Sequence, residues 1–129
     1  MITSSDAGSI LYNDCKIFNL PLYRSWSFPK KKVDTERIVI IAKSQSPDIY
    51  WSRGFVEVNF CVPDYKDNAN LKRLNELERS ALKNIGYKTG KFDETRYRYS
   101  VDSHGIEEDP VLNCHFVNIK ILFEILNVK

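Results

Sequence analysis

The sequence has little of what dedicated catalytic chemistry demands. Its imidazole supply is two residues, His104 and His115, and neither lies in a recognisable catalytic context. There is no Gly-x-Ser-x-Gly elbow, no Cys-x-x-Cys pair and no His-x-x-x-His spacing, so the familiar hydrolase and zinc arrangements lack their parts. The five glycines, at 8, 54, 86, 90 and 105, never cluster into a phosphate cradle. No apolar run reaches the roughly 18 residues of a membrane-spanning helix. The segment Val117–Val128 is broken by Asn118, Lys120, Glu124 and Asn127, and it reads as a strand. An excess of one charge is missing too: 19 Lys and Arg stand against 17 Asp and Glu, a net charge of +2, with an even balance in both halves of the chain. A dedicated nucleic-acid binder carries a basic excess large enough to displace many counterions, and this chain has none. The start, Met-Ile-Thr-Ser-Ser-Asp, is polar and acidic, unlike a secretory signal. Cys15, Cys61 and Cys114 are odd in number and widely spaced, the pattern of reduced, mostly buried thiols in a cytosolic protein.

What is present fits one α+β domain. At 129 residues, 43% hydrophobic and 28% charged, the chain can bury about two thirds of its unfolded surface. A helix is predicted over Ser4–Phe18, capped by Thr3, Ser4 or Ser5 and ended by Pro21. Alternation predicts a half-buried strand at Leu22–Phe28, followed by a Pro29-Lys30-Lys31-Lys32 loop. The β-branched run in Arg37–Ala42 predicts a central strand. Ser44–Ser52 reads as a loop carrying exposed aromatics. Strict period two over Arg53–Val62 places Phe55, Glu57, Asn59 and Cys61 on one face and Val56, Val58, Phe60 and Val62 on the other.

The second helix is predicted over Ala69–Ile85, capped by Asp67 or Asn68 and closed by a left-handed Gly86. Leu71, Leu74, Leu77 or Glu78, Ala81, Leu82 and Ile85 form its apolar stripe, with Glu76 and Arg79 as an i,i+3 pair. Thr95–Val101 alternates as a strand, Asp102–Pro110 reads as a polar turn, and Leu112–Asn127 is a final strand long enough to need a bend or bulge. The predicted order is α-β-β-β-α-β-β, an antiparallel or mixed sheet with two helices packed on it.

Several residues invite a functional reading. Pro47-Asp48 followed by Glu57-Val58-Asn59 has the outline of a metal-nuclease pattern, in which two carboxylates hold a divalent ion and a lysine steadies the phosphate. Asn59 occupies the place of that lysine, and Asp48 falls in a loop, so a solvated Asp48 and a structural Glu57 are the better reading. Lys30, Lys31 and Lys32 suit a solvated hairpin tip or a phosphate contact. Arg96 and Arg98 lie between tyrosines and suit either base stacking or ion pairs across a sheet or subunit boundary. Tyr50-Trp51 in a polar loop is the feature that best fits a protein interface, the alternative being a Trp51 tucked beneath its own loop. Cys114 and His115 are strand neighbours pointing to opposite faces, so they do not readily share an ion.

The order of elements, the Leu22-Tyr23-Arg24-Ser25-Trp26 segment, the Glu36-Arg37-Ile38-Val39-Ile40-Ile41 strand and the run Gly54-Phe55-Val56-Glu57-Val58-Asn59-Phe60-Cys61-Val62-Pro63-Asp64 resemble tail terminator proteins of long-tailed phages and prophages. The resemblance spans roughly residues 4–127 and includes no catalytic signature. It implies a structural, non-enzymatic protein without a cofactor, forming a ring of six that caps the tail tube in the virion after assembly in the host cytoplasm. The implied partners are further copies of the chain, the tail-tube protein and a head-completion or connector protein. DNA would pass through the lumen without specific binding, and no membrane is involved. Lys30–Lys32, Tyr50, Trp51, Arg96 and Arg98 are the candidate interface or lumen residues. Another head–tail connector is the nearest alternative, and a small nucleic-acid-binding domain a more distant one.

Overall fold

Strict alternation in the middle of the chain produces its longest ladder. The computed structural model describes residues 1–27 and 34–127. Its elements are α1 (Ser4–Asp14), a 3-10 turn (Cys15–Phe18), β1 (Leu22–Arg24), β2 (Arg37–Ser46), β3 (Trp51–Pro63), α2 (Leu71–Ile85), β4 (Tyr87–Phe92), β5 (Thr95–Asp109) and β6 (Cys114–Leu126). They build a six-stranded mixed sheet in the order β1-β2-β3-β6-β5-β4. Only the β1–β2 pair is parallel. At the centre, β3 and β6 pair without a register shift from Trp51–Leu126 to Pro63–Cys114.

The period-two pattern assigns the faces as expected. Val56, Val58, Phe60 and Val62 of β3 and Val117, Ile119, Ile121 and Phe123 of β6 are buried with Leu11 of α1 and Leu74, Leu77, Ala81 and Ile85 of α2. Phe18 meets Phe60 edge-on, with ring centroids 5.0 Å apart. Tyr97, Tyr99 and Phe123 stack as one aromatic layer. Among the described residues no helix lies on the opposite face. That face carries a small apolar cluster of Val39, Cys61 and Cys114, next to a polar centre in which Asn118 donates to Glu57 and Asn59.

The α+β class and the two helices stand, with one strand more than expected. β4 is an edge strand with a single neighbour, so its sequence, Tyr-Lys-Thr-Gly-Lys-Phe, shows no buried stripe. Gly90 lies under Tyr97, where a Cβ would stand 2.4 Å from the phenol oxygen. Asp102–Asp109 is strand rather than turn: β6 pairs it along its length, while only α2 borders its helix-side face, so burial leaves little mark on the sequence. The bend anticipated in the last strand falls on its partner, where Asp102 is the extra residue between Val101 and Ser103. β1 is shorter than predicted, because the chain turns at Ser25–Trp26. Most of Ser44–Ser52 belongs to β2 and β3, leaving a tight tip at residues 47–50.

Capping chemistry is resolved residue by residue. Thr3 caps α1 in a reciprocal box with Asp6. Asn70, not Asp67 or Asn68, caps α2, its side chain accepting from the Arg73 N–H. Gly86 keeps a right-handed conformation because the chain runs straight into β4, so no left-handed reversal is needed. Glu76 pairs with Arg73, not Arg79, since Arg73 also reaches Glu36 at 2.8 Å and draws both carboxylates together.

One part-buried contact ties α1 to the β4–β5 end of the sheet. Tyr99 donates its hydroxyl to Asp14 at 2.6 Å, and the Lys88 ammonium donates to the other Asp14 oxygen at 2.7 Å. Hydrogen bonds to a charged group contribute about 1.5–3 kcal/mol each. Tyr99→Phe is therefore expected to lower stability by about 1–2 kcal/mol, Lys88 still satisfying the carboxylate. Urea unfolding should show a lower midpoint at an unchanged slope.

Candidate functional site

Sheet register brings together residues that lie far apart in sequence. Trp51 opens β3 opposite Leu126, Arg53 pairs with Glu124, and Arg98 of β5 meets Glu124 from the other side. Glu124 is nearly buried and accepts from Arg53 at 2.8 Å and from Arg98 at 3.0 Å. The Arg98 guanidinium also lies over the Trp51 ring, 3.9 Å from its centroid. Arg98 is held on two sides, by a charge and by a π-face.

Arg96 and Lys91 extend this corner along the bare face of the sheet. They are directly opposite each other across β4 and β5, a like-charge pair that costs stability. Arg96 is exposed, and its side chain makes no hydrogen bond or ion pair among the described residues. Among the described residues Lys91 reaches only the exposed Glu94, at 3.7 Å. With Trp51, Tyr87 and Arg98 they line an open cleft of about 410 Å³.

Of the residues singled out from sequence, Trp51, Arg96 and Arg98 converge here. Tyr50 stands close by at the β2–β3 tip, 64% exposed beside the 78% exposed Ile49. That tip is held in place: the Asn127 N–H donates to the Tyr50 carbonyl, and the Asn127 amide donates to the Asp48 carbonyl and the Ser52 hydroxyl. Trp51 is half-buried, partly through Arg98, rather than tucked under its own loop. Lys30, Lys31 and Lys32 lie outside the described residues. Tyr87, Lys91, Arg53 and Glu124 were not anticipated as partners. The charged Glu124 within the apolar β6 run is the sequence signal that could have found them.

Base stacking by the Arg96–Tyr99 strand is not supported by this arrangement. Tyr97 and Tyr99 point to the helix face, 7% and 1% exposed, so the arginines and the tyrosines occupy opposite sides. Asp48 and Glu57 do not meet either. Asp48 sits at the hairpin tip and accepts from the Ile49 N–H, while Glu57 lies mid-strand with Asn118 and Lys43. His104 pairs with Glu78 and His115 with Asp64, each an imidazole–carboxylate contact between elements. All three cysteines are buried and free. Burial, and then Asp14, push the Cys15 thiol up to about 12, well away from a reactive thiolate. Among the described residues no cluster of three His, Cys, Asp or Glu is placed to hold a metal ion.

The fold is thus an α+β domain with two helices on one face of a mixed sheet and a basic, aromatic corner on the other. No protein-family model and no curated protein matches the chain. A solved structure of another protein aligns over 98% of this chain and 95% of its own length, with a TM-score of 0.55 and 12% sequence identity. At that identity the likeness establishes the fold alone.

The corner makes a pH prediction. Burial raises the Glu124 carboxyl, but the hydrogen bonds and charges of Arg98 and Arg53 outweigh it and hold the group below the usual carboxylate range. A depressed folded-state pKa adds stability that is present above the unfolded value, near 4.5, and is lost as pH falls through the folded value. Glu124→Gln removes this contribution, so its urea midpoint should lie below that of the wild type at pH 7 and converge with it in acid. A constant gap across pH would contradict the assignment.

Proposed function

We propose that this chain is a structural virion protein, a tail terminator of a long-tailed phage or prophage, acting as a ring of six. The observation that carries this reading is the placement of exposed apolar groups at opposite ends of one sheet. Ile49 and Tyr50 project at the β2–β3 tip, and Val111, 87% exposed, projects at the β5–β6 tip. β6 runs the length of the sheet between them, about 40 Å at strand rise. Two unlike sticky surfaces at opposite ends favour head-to-tail association, which closes into a ring when the rotation allows. Asn127 pre-orders the first tip, which reduces the entropy lost on docking.

The chemistry of the chain suits that role. One face of the ring would stack on the last tail-tube ring and stop its growth, and the other would receive a head-completion or connector protein. DNA crossing the lumen must slide, and a strongly cationic wall would hold its phosphates. A net charge of +2 on 129 residues imposes no such grip.

The test is the mass and shape of the particle, by native mass spectrometry and negative-stain imaging, alone and with polymerised tail tubes. The expected result is a holed particle of six times 15.0 kDa that binds tube ends. Rings that bind connector proteins but never tube ends would instead identify a neck component. A chain that stays monomeric both alone and on tubes would refute the reading.

A further inference from the structure

Charge in the second half of the chain is sharply segregated. Between Arg98 and Lys120 there is no Lys or Arg, while Asp102, Glu107, Glu108 and Asp109 all fall there. β5 carries these acids along the half that β4 does not cover, so Asp102–Asp109 has an open outer edge. Glu107 and Glu108 are exposed, and their side chains make no hydrogen bond or ion pair among the described residues. Val111 stands beside them at the hairpin tip.

The opposite end of the same strand pair is basic. Lys91 and Arg96 face each other as a like-charge pair on the rim of the Trp51–Tyr87 cleft. Along β6, Glu124 marks the basic end and Phe116 stands opposite Glu107, about 27 Å away at strand rise. The two ends therefore cannot neutralise each other within one molecule. Asp93 and Glu94 in the β4–β5 turn offset part of the basic charge, but Arg96 keeps no side-chain partner among the described residues, and the acidic end holds the carboxylates that would complement it.

We infer that the acidic β5–β6 hairpin end of one copy docks on the basic aromatic corner of the next. Glu107, opposite Phe116 on the bare face, would meet Lys91 and Arg96, Glu108 on the other face adding only longer-range attraction, and Val111 would enter the cleft against Trp51 and Tyr87. This contact rests on the ring reading and gives it a specific interface. It also accounts for the unfavourable Lys91–Arg96 pairing, which is relieved when the Glu107 carboxylate arrives between the two cations. Because the two surfaces differ, the contact is heterologous and repeats from copy to copy rather than closing a pair.

Charge reversal tests it. Two variants are made, Lys91→Glu/Arg96→Glu and Glu107→Lys/Glu108→Lys, with urea unfolding confirming that both fold. Assembly is followed by sedimentation and imaging, in solution and on tail tubes. Each variant alone should assemble at least about tenfold more weakly than the wild type, because every contact between its copies now sets like charges against each other. An equimolar mixture should recover to within about threefold, since alternating copies restore opposite charges at every contact. Wild-type assembly should also weaken as salt rises from about 0.05 to 0.5 M. Rings that form equally well in both variants would overturn this contact and leave the ring reading standing. Variants that weaken without recovery on mixing would also overturn it, placing those residues elsewhere in the interface. A wild type that never assembles, alone or on tubes, would remove both readings.

Discussion

The β3–β6 ladder is the constraint on which the rest of the structure depends. Thirteen consecutive residue pairs, from Trp51–Leu126 to Pro63–Cys114, run without a bulge through the centre of the sheet. Because side chains alternate strictly, a slip of one residue would exchange the two faces. Val58, Phe60, Ile119 and Ile121 would turn to solvent, and Glu57, Asn118 and Lys120 would enter the helix layer. The register is thus held by burial on one side and by polar pairing on the other. Asn118 bridging Glu57 and Asn59, and Lys120 over the Phe55 ring, are satisfied only in this alignment.

The same ladder creates the functional geometry. A strand pair about 40 Å long has two ends that cannot communicate electrostatically across water at ordinary ionic strength, where screening acts within about 10 Å. Opposite charges can therefore accumulate at the two ends without collapsing onto each other. Glu124 anchors one end by drawing Arg53 and Arg98 to a fixed place, and Trp51 closes over Arg98. Two arginines held in this way present a defined surface, unlike free lysines on a loop, and less side-chain entropy is lost when something docks on it.

Legibility from sequence followed burial. Arg53–Val62 could be read because one face is fully covered, and the apolar stripe of α2 for the same reason. Leu71 and Leu82 fit that stripe by spacing yet remain largely outside it, at 62% and 36% exposed, since both lie at the edge of the arc centred on Leu74, Leu77, Ala81 and Ile85. β4 and the outer half of β5 could not be read, because an edge strand with one neighbour is held by backbone hydrogen bonds, which leave no mark on side-chain type. The candidate site was half visible. Trp51, Arg96 and Arg98 stood out as unusual residues, but their meeting depends on pairing between strands 26 and 71 residues apart, which local pattern does not encode.

Near-neutrality takes on a different meaning once the charges are placed. Averaged over the chain, +2 shows no large basic excess and suggests little else. Distributed along β5, the same balance consists of an acidic half and a basic half joined at Val101, where the Asp102 bulge breaks the pairing. Such a dipolar strand favours ordered head-to-tail contacts, because like ends repel and only one orientation matches opposite charges. On the proposed reading this has a consequence for the lumen. Cations consumed in contacts between copies are neutralised there, so the assembled ring is less able to grip DNA than the isolated chain. Association and passage then draw on the same charges without conflict, because the groups that hold the ring together are the ones withdrawn from the phosphate backbone.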